Sequence, residues 1–220
     1  KFFVACQKDL DTSRFFFQDF RTDKNYRWGY GKLRRLDTEY IKKGQEHLKQ
    51  KTGVCIDVFD YQYLPDDVKE KKHYQRKMFC IRKIEYSSIG KYAENTLFMR
   101  LWYTILSIIP MQIIHKIRMK ELAKNNKINS AKLSNEMFPT ARTKNGVDST
   151  IYDEYCKLEF EGMKFNCFKK YDEYLKILYG DYMTLPPIEK RQGVMDGVEY
   201  ELIDVDYEEL LNQYQAMHEN

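Results

Sequence analysis

The chain carries no Gly-rich Walker loop, no Gly-x-Ser-x-Gly elbow and no His-Glu-x-x-His run. P-loop NTPase, α/β-hydrolase and zinc-protease chemistry therefore have no motif to rest on. Its cysteines, Cys6, Cys55, Cys80, Cys156 and Cys167, are odd in number, form no Cys-x-x-Cys pair and repeat no spacing. That excludes a disulfide framework or zinc ribbon by pattern and predicts reduced thiols of a cytoplasmic protein. His47, His73, His115 and His218 lie far apart, and none stands at ligand spacing from a cysteine. Charge of one sign is scarce as well: 37 Lys and Arg against 33 Asp and Glu leave +4. A phosphate backbone calls for a denser basic surface, so nucleic acid is not an expected partner. Long apolar runs are also missing. The longest, LWYTILSIIPMQII from Leu101 to Ile114, is broken by Pro110 and Gln112 and too short to cross a bilayer. It reads as a buried helix, or as an interfacial helix that Arg100, His115, Lys116, Arg118 and Lys120 hold against anionic lipid, a peripheral membrane contact through 100–120.

What is present suffices for a core. Apolar residues make up 43% of the 220 and charged residues 32%, a composition of one folded domain over 1–220 rather than of a disordered chain. The aromatic set is 18 Tyr and 13 Phe with only 2 Trp.

The hydrophobic pattern predicts an α/β beginning, with extended pieces RFFFQDF and GVCIDVFDY around a polar middle. In the second piece Val54, Ile56 and Val58 alternate with Cys55, Asp57 and Phe59, so an apolar face is expected opposite Asp57. Pro65, Asp66 and Asp67 then open an amphipathic helical stretch over 66–86, and a second, over about 92–124, divides near Pro110, the two making a helical insertion at 66–124. Residues 125–150 read as loop with one short helix, 154–168 as extended, and FKKYDEYLKILYG as a helix stopped by Gly180. A closing helix is predicted from Asp206 to Met217, with Leu210, Leu211, Tyr214 and Met217 inward.

Three places can carry chemistry. Asp57 at a strand end, followed by Asp60, Asp66 and Asp67, supplies oxygen ligands of the kind Mg²⁺ takes, although acidic residues after a strand also serve as helix caps. GYGKLRRLDT sets Lys32, Arg34 and Arg35 behind two glycines, as a phosphate contact or as a solvated basic turn. Tyr26, Trp28 and Tyr30 alternate in NYRWGYG and offer ring faces to a quaternary ammonium, or pack as alternating strand residues do.

Two segments go beyond pattern. FEGMKFNCFKKYDEYLKILYGDYMTLPPIEKR, from Phe160 to Arg191, closely resembles the C-terminal signature of the LicD family, phosphorylcholine-type transferases related to fukutin and fukutin-related protein. Its most specific part is YGDYMTLPP, with Tyr179, Gly180, Asp181, Tyr182, Met183, Pro186 and Pro187. The stretch FFFQDFRTDKNYRWGYGKLRRLDT through GVCIDVFDYQYLPDD resembles the family's central block, through Lys32, Arg34, Thr38, Gly53, Ile56, Asp57 and Phe59.

The resemblance implies a nucleotidyltransferase-like fold with a mixed sheet, a helical insertion at 66–124 and a helical C-terminal part. It also implies a Mg²⁺-dependent reaction. A phosphorylated alcohol, most often phosphocholine from CDP-choline, moves to a sugar hydroxyl of a cell-surface glycan, at the inner face of the cell membrane. Asp57 becomes the catalytic carboxylate and a metal ligand. Lys32 and Arg34 become clamps on the donor phosphates, and Tyr26, Trp28 and Tyr30 candidate choline contacts. CDP-ribitol or CDP-glycerol donors fit the same pattern, as does a non-catalytic nucleotide- or glycan-binding relative.

The departures are specific. The family's Gly-Thr turn with its aspartate cluster is absent, so the resemblance implies a domain that is incomplete at its N-terminus. Asp9 and Asp11 lack that turn. Phe59 is followed by Asp60, Tyr61 and Gln62 instead of Pro-Leu-Asp, and Gln192 and Gly193 stand near where the family often places a histidine.

Overall fold

The computed structural model describes residues 2–137, 139–191, 197–201 and 207–218. It is an α+β chain. Helix α1 (Phe2–Asp9) leads to strands β1 (Phe15–Gln18), β2 (Gly31–Arg35), β3 (Glu39–Lys42), β4 (Cys55–Val58) and β5 (Gln62–Tyr63). Helices α2 (Val68–Ala93), α3 (Leu97–Ser107) and α4 (Met111–Asn125) occupy the stretch expected to be helical. Then come β6 (Lys132–Ser134), β7 (Val147–Asp148), β8 (Tyr155–Phe160), β9 (Met163–Phe168), α5 (Tyr171–Tyr179), β10 (Gly197–Glu201) and α6 (Tyr207–His218).

Where the resemblance implied a mixed sheet, every ladder among the described residues is antiparallel: β1-β2-β4, β10-β3, β5-β6-β7 and β8-β9. The reason lies in the connections. A parallel pair needs a crossover, usually a helix, and no helix stands between β1 and β4.

The core gathers in the helical layer, where Leu64 packs with Tyr74, Met78 and Ile81 of α2 and Ile114 of α4. Asp67 starts α2 by accepting hydrogen bonds from the N–H groups of Lys69 and Glu70 at 2.9 and 2.8 Å, two donors that the first turn cannot satisfy internally. Pro110 caps α4, and the axes of α3 and α4 meet at 82°. Tyr103, fully buried, fixes α3 on α2. Its ring lies over Gly90, where a Cβ would come within 2.6 Å of it, and edge-on to Tyr86 at 5.4 Å.

Two readings of the sequence change. Residues 154–168 are a hairpin rather than one extended piece, turning at Glu161 and Gly162, both with positive φ. The stretch 125–150, expected to be loop with one short helix, contains two short strands, β6 pairing with β5 and β7 with β6. The closing helix is in place, while the side chains of Leu210, Tyr214 and Met217, which the sequence turns inward, lie outside the described residues.

Candidate functional site

The central strand β2 builds the site. Lys32 stands opposite Gln18 of β1 and Asp57 of β4, and Arg34 opposite Phe16 and Cys55. Residues directly opposed across strands share a sheet face, so both cations and Asp57 lie on one side. That side is the more buried one. Lys32 and Arg34 are 5% and 6% exposed, whereas Ile56 is 64% exposed and Val54 also faces out. The apolar face of β4 is thus an outer one, while on the opposite face Lys32 and Arg34 are covered and Asp57 stays accessible.

Burial of that polar face is possible because its groups satisfy one another. The Lys32 ammonium is ion-paired with Asp57 and lies 5.0 Å from the centre of the Tyr30 ring. Burial alone would lower its pKa, but Tyr30, Asp57 and Cys55 outweigh it and hold the pKa above the usual lysine value. Arg34 donates through Nε to Gln18 and through Nη1 to the Gly53 carbonyl at 2.7 Å. Gln18 in turn donates to Asp23 at 2.7 Å. Burial pushes the Asp23 carboxyl up, yet hydrogen bonds from the Lys51 N–H, Gln18 and the Asn25 N–H leave it below the ordinary range. Gly53 is required here. Its φ is +110°, and a Cβ would fall 2.5 Å from the Arg35 carbonyl.

Over this network lies a cavity of about 70 Å³, lined in part by Trp28, Tyr30, Lys32, Arg34 and Lys42. At roughly 10–15 Å³ per water this holds a few waters or a group of phosphate size, not a whole nucleotide. Lys42, from β3, escapes sequence reasoning because nothing in EYIKKGQ marks it and only the fold carries it to Lys32. Its pKa is lowered by burial and then by the charge of Lys32, against the pull of Asp57 and Cys55. Three basic side chains line the cavity, against Glu46 as its acid.

The aromatic triplet divides. Trp28 and Tyr30 line the cavity with ring centres 6.3 Å apart. Tyr26 does not. It is 2% exposed, packs edge-on to Tyr30 at 6.2 Å and faces a different cavity beside Phe20 and His115. The segment is irregular rather than a strand, so alternation in sequence did not put the rings on one side. Tyr30, with the Phe59 ring tilted against it 5.0 Å away, also walls a larger groove of about 390 Å³ that Asp60 and Arg118 line.

The four acids expected near a metal go separate ways. Asp57 is engaged by Lys32 beside the cavity, Asp60 accepts from Arg118 at 2.9 Å, Asp66 accepts from Ser130 at 2.8 Å, and Asp67 caps α2. Among the described residues no group of three or more His, Cys, Asp and Glu converges.

In the C-terminal signature, polar groups fix the path of the chain. Gly180 ends α5 with φ 79° beside Arg142, Thr184 donates to Asp181 at 2.6 Å, and Tyr182 donates to Asp172 at 2.8 Å. Fold and site together define an α+β protein with a small cationic pocket faced by aromatic rings. No protein-family model, curated protein or solved structure significantly matches the chain.

Proposed function

We propose that the chain is a LicD-type phosphotransferase with a nucleotidyltransferase-like fold. It moves a phosphorylated alcohol, phosphocholine from CDP-choline, onto a sugar hydroxyl of a cell-surface glycan at the cytoplasmic face of the membrane. The observation that carries this reading is the convergence of Lys32, Arg34 and Lys42 with Trp28 and Tyr30 around one phosphate-sized cavity, in the segment that carries the resemblance. Cations suit the donor phosphates, and ring faces suit the ammonium of choline. In the transfer, the acceptor oxygen forms a bond to the phosphorus of phosphocholine while the bond from that phosphorus to the oxygen of CMP breaks. The hydroxyl proton passes to a carboxylate, and Asp57 is the one assigned. Mg²⁺ is part of the proposed reaction and is tested as a separate variable.

One observation favours a second reading. Asp57 is tied to Lys32 and Asp60 to Arg118, which suits a relative that binds a nucleotide or glycan without turnover. A titration with CDP-choline, with and without Mg²⁺, following both binding and CMP release, separates the two. CMP release supports the transferase, binding alone supports the non-catalytic relative, and absence of both overturns the pocket assignment. CDP-ribitol and CDP-glycerol belong in the same assay, because the alcohol is read by pocket shape. Asp57→Asn is expected to abolish CMP release; near-normal turnover by that variant would remove Asp57 from the mechanism.

A further inference from the structure

Helix α3 carries its apolar side outward. Leu97, Phe98, Leu101, Trp102, Ile105 and the following Ile108 are all exposed, Phe98 and Ile108 at 75% each. Their spacing of one, three and four residues places them on a single stripe of the helix. The helix cannot roll this stripe inward, because Tyr103 on the opposite side is locked over Gly90. Beyond the bend, Ile113 and Ile117 of α4 are exposed as well. Exposed apolar surface of this continuity marks an interaction site rather than the scattered apolar residues of any protein surface.

We infer that α3 and the first half of α4 form a docking surface for an anionic phospholipid bilayer. This does not rest on the reading of the cationic pocket. The charges select the occupant. Between Leu97 and Lys120 there is no Asp or Glu, while Arg100, Lys116 and Lys120 are exposed. Arg118, the remaining Arg or Lys of that stretch, is buried and committed to Asp60. A second copy packed on this face by a two-fold axis would oppose these cations to one another, whereas anionic headgroups neutralise them. Trp102 sits in the stripe with a side chain suited to the headgroup level. No single helix is long and apolar enough to cross a membrane, and the 82° bend between α3 and α4 fits helices that lie in the interface.

The test is flotation of the whole chain with vesicles of phosphatidylcholine alone or mixed with phosphatidylglycerol. The chain is expected to float with the mixed vesicles, at least about tenfold more tightly than with phosphatidylcholine, and to be released by high salt. The double variant Leu101→Glu, Ile105→Glu is expected to lose binding by about tenfold or more. Lys116→Glu with Lys120→Glu should lose the preference for the anionic lipid. Circular dichroism verifies that each variant keeps its helices, as changes at exposed positions should allow. Failure of the wild-type chain to float with mixed vesicles overturns the proposal. So does flotation that both folded variants retain. Concentration-dependent dimerisation that Ile105→Glu abolishes, without vesicle binding, assigns the face to a second copy and likewise overturns it.

Discussion

Glu85 and His115 are buried groups whose titrations oppose each other. Burial pushes the Glu85 carboxyl up to about 7, against the pull of Arg118, the Gly29 N–H and Arg82, with Asp60 adding to the rise. Burial pulls His115 down to about 4, helped by Arg118 and Arg27 and opposed by Asp19. For Glu85 the folded chain holds a proton that the unfolded chain has released, so its contribution falls as pH rises from 4.5 to about 7. For His115 the unfolded chain binds the proton first, so its contribution is lost as pH falls from 6.5 to about 4. In wild type the two slopes largely cancel between about pH 4.5 and 6.5. Glu85→Gln is expected to leave stability rising with pH across that window, and His115→Asn to leave it falling. Urea midpoints measured across the window check this, and equal slopes in the two variants would refute it. Glu85 was not legible in the sequence as special, since a Glu inside KIEYSS looks like a solvated helix residue and only packing shows it fully buried; His115 was read as one of the groups facing anionic lipid, and the fold instead turns it inward, 6% exposed.

At the scale of elements, the start of α2 rests on a single side chain. Asp67→Ala removes the acceptor for the Lys69 and Glu70 N–H groups and is expected to cost about 1 kcal/mol, read as a lower urea midpoint at unchanged slope. This start was legible, as were the break at Pro110 and the stop at Gly180, because each is written in one residue with a local backbone consequence. The face of β4 was not. Alternation along Val54 to Phe59 defines two faces, but which one meets the interior depends on partners elsewhere. Here Lys32, Arg34 and Gln18 are buried on the side that carries Asp57 and Cys55, and Lys32 pairs with Asp57 there. The same limit hid the direction of α3. The run from Leu101 to Ile114 read either as a buried or as an interfacial helix, because the anchoring of Tyr103 on Gly90 that orients it is a contact between separate helices. Likewise Lys32, Arg34, Trp28 and Tyr30 were nominated from sequence and share a cavity, while Lys42 entered only through the fold.

The whole molecule closes on itself through one ladder. Near the far end of the chain, β10 pairs antiparallel with β3, setting Gly197 against Lys42 and Tyr200 against Tyr40. Tyr40, Ile41 and Lys42 in turn line the cationic cavity. The C-terminal segment therefore buttresses a pocket whose other walls come from the first third of the sequence, at a sequence separation that makes this contact slow to form and costly to lose. β3 has no other strand partner among the described residues, so removing β10 leaves it as an unpaired strand. A chain ending at Arg191 is expected to keep α2, α3 and α4, whose core of Leu64, Tyr74, Met78, Ile81 and Ile114 involves no residue after 114. Its pocket should loosen. Pyrophosphate, as a probe of the cavity, should bind the shortened chain about tenfold more weakly, a change of about 1.4 kcal/mol. Limited proteolysis should open new cuts around residues 39–50, while the helical circular dichroism falls only by the share of α6. If pyrophosphate binds both chains equally, the closing ladder does not support the pocket. If the shortened chain loses its helical signal entirely, the helical core depends on the C-terminal segment, contrary to what its packing indicates.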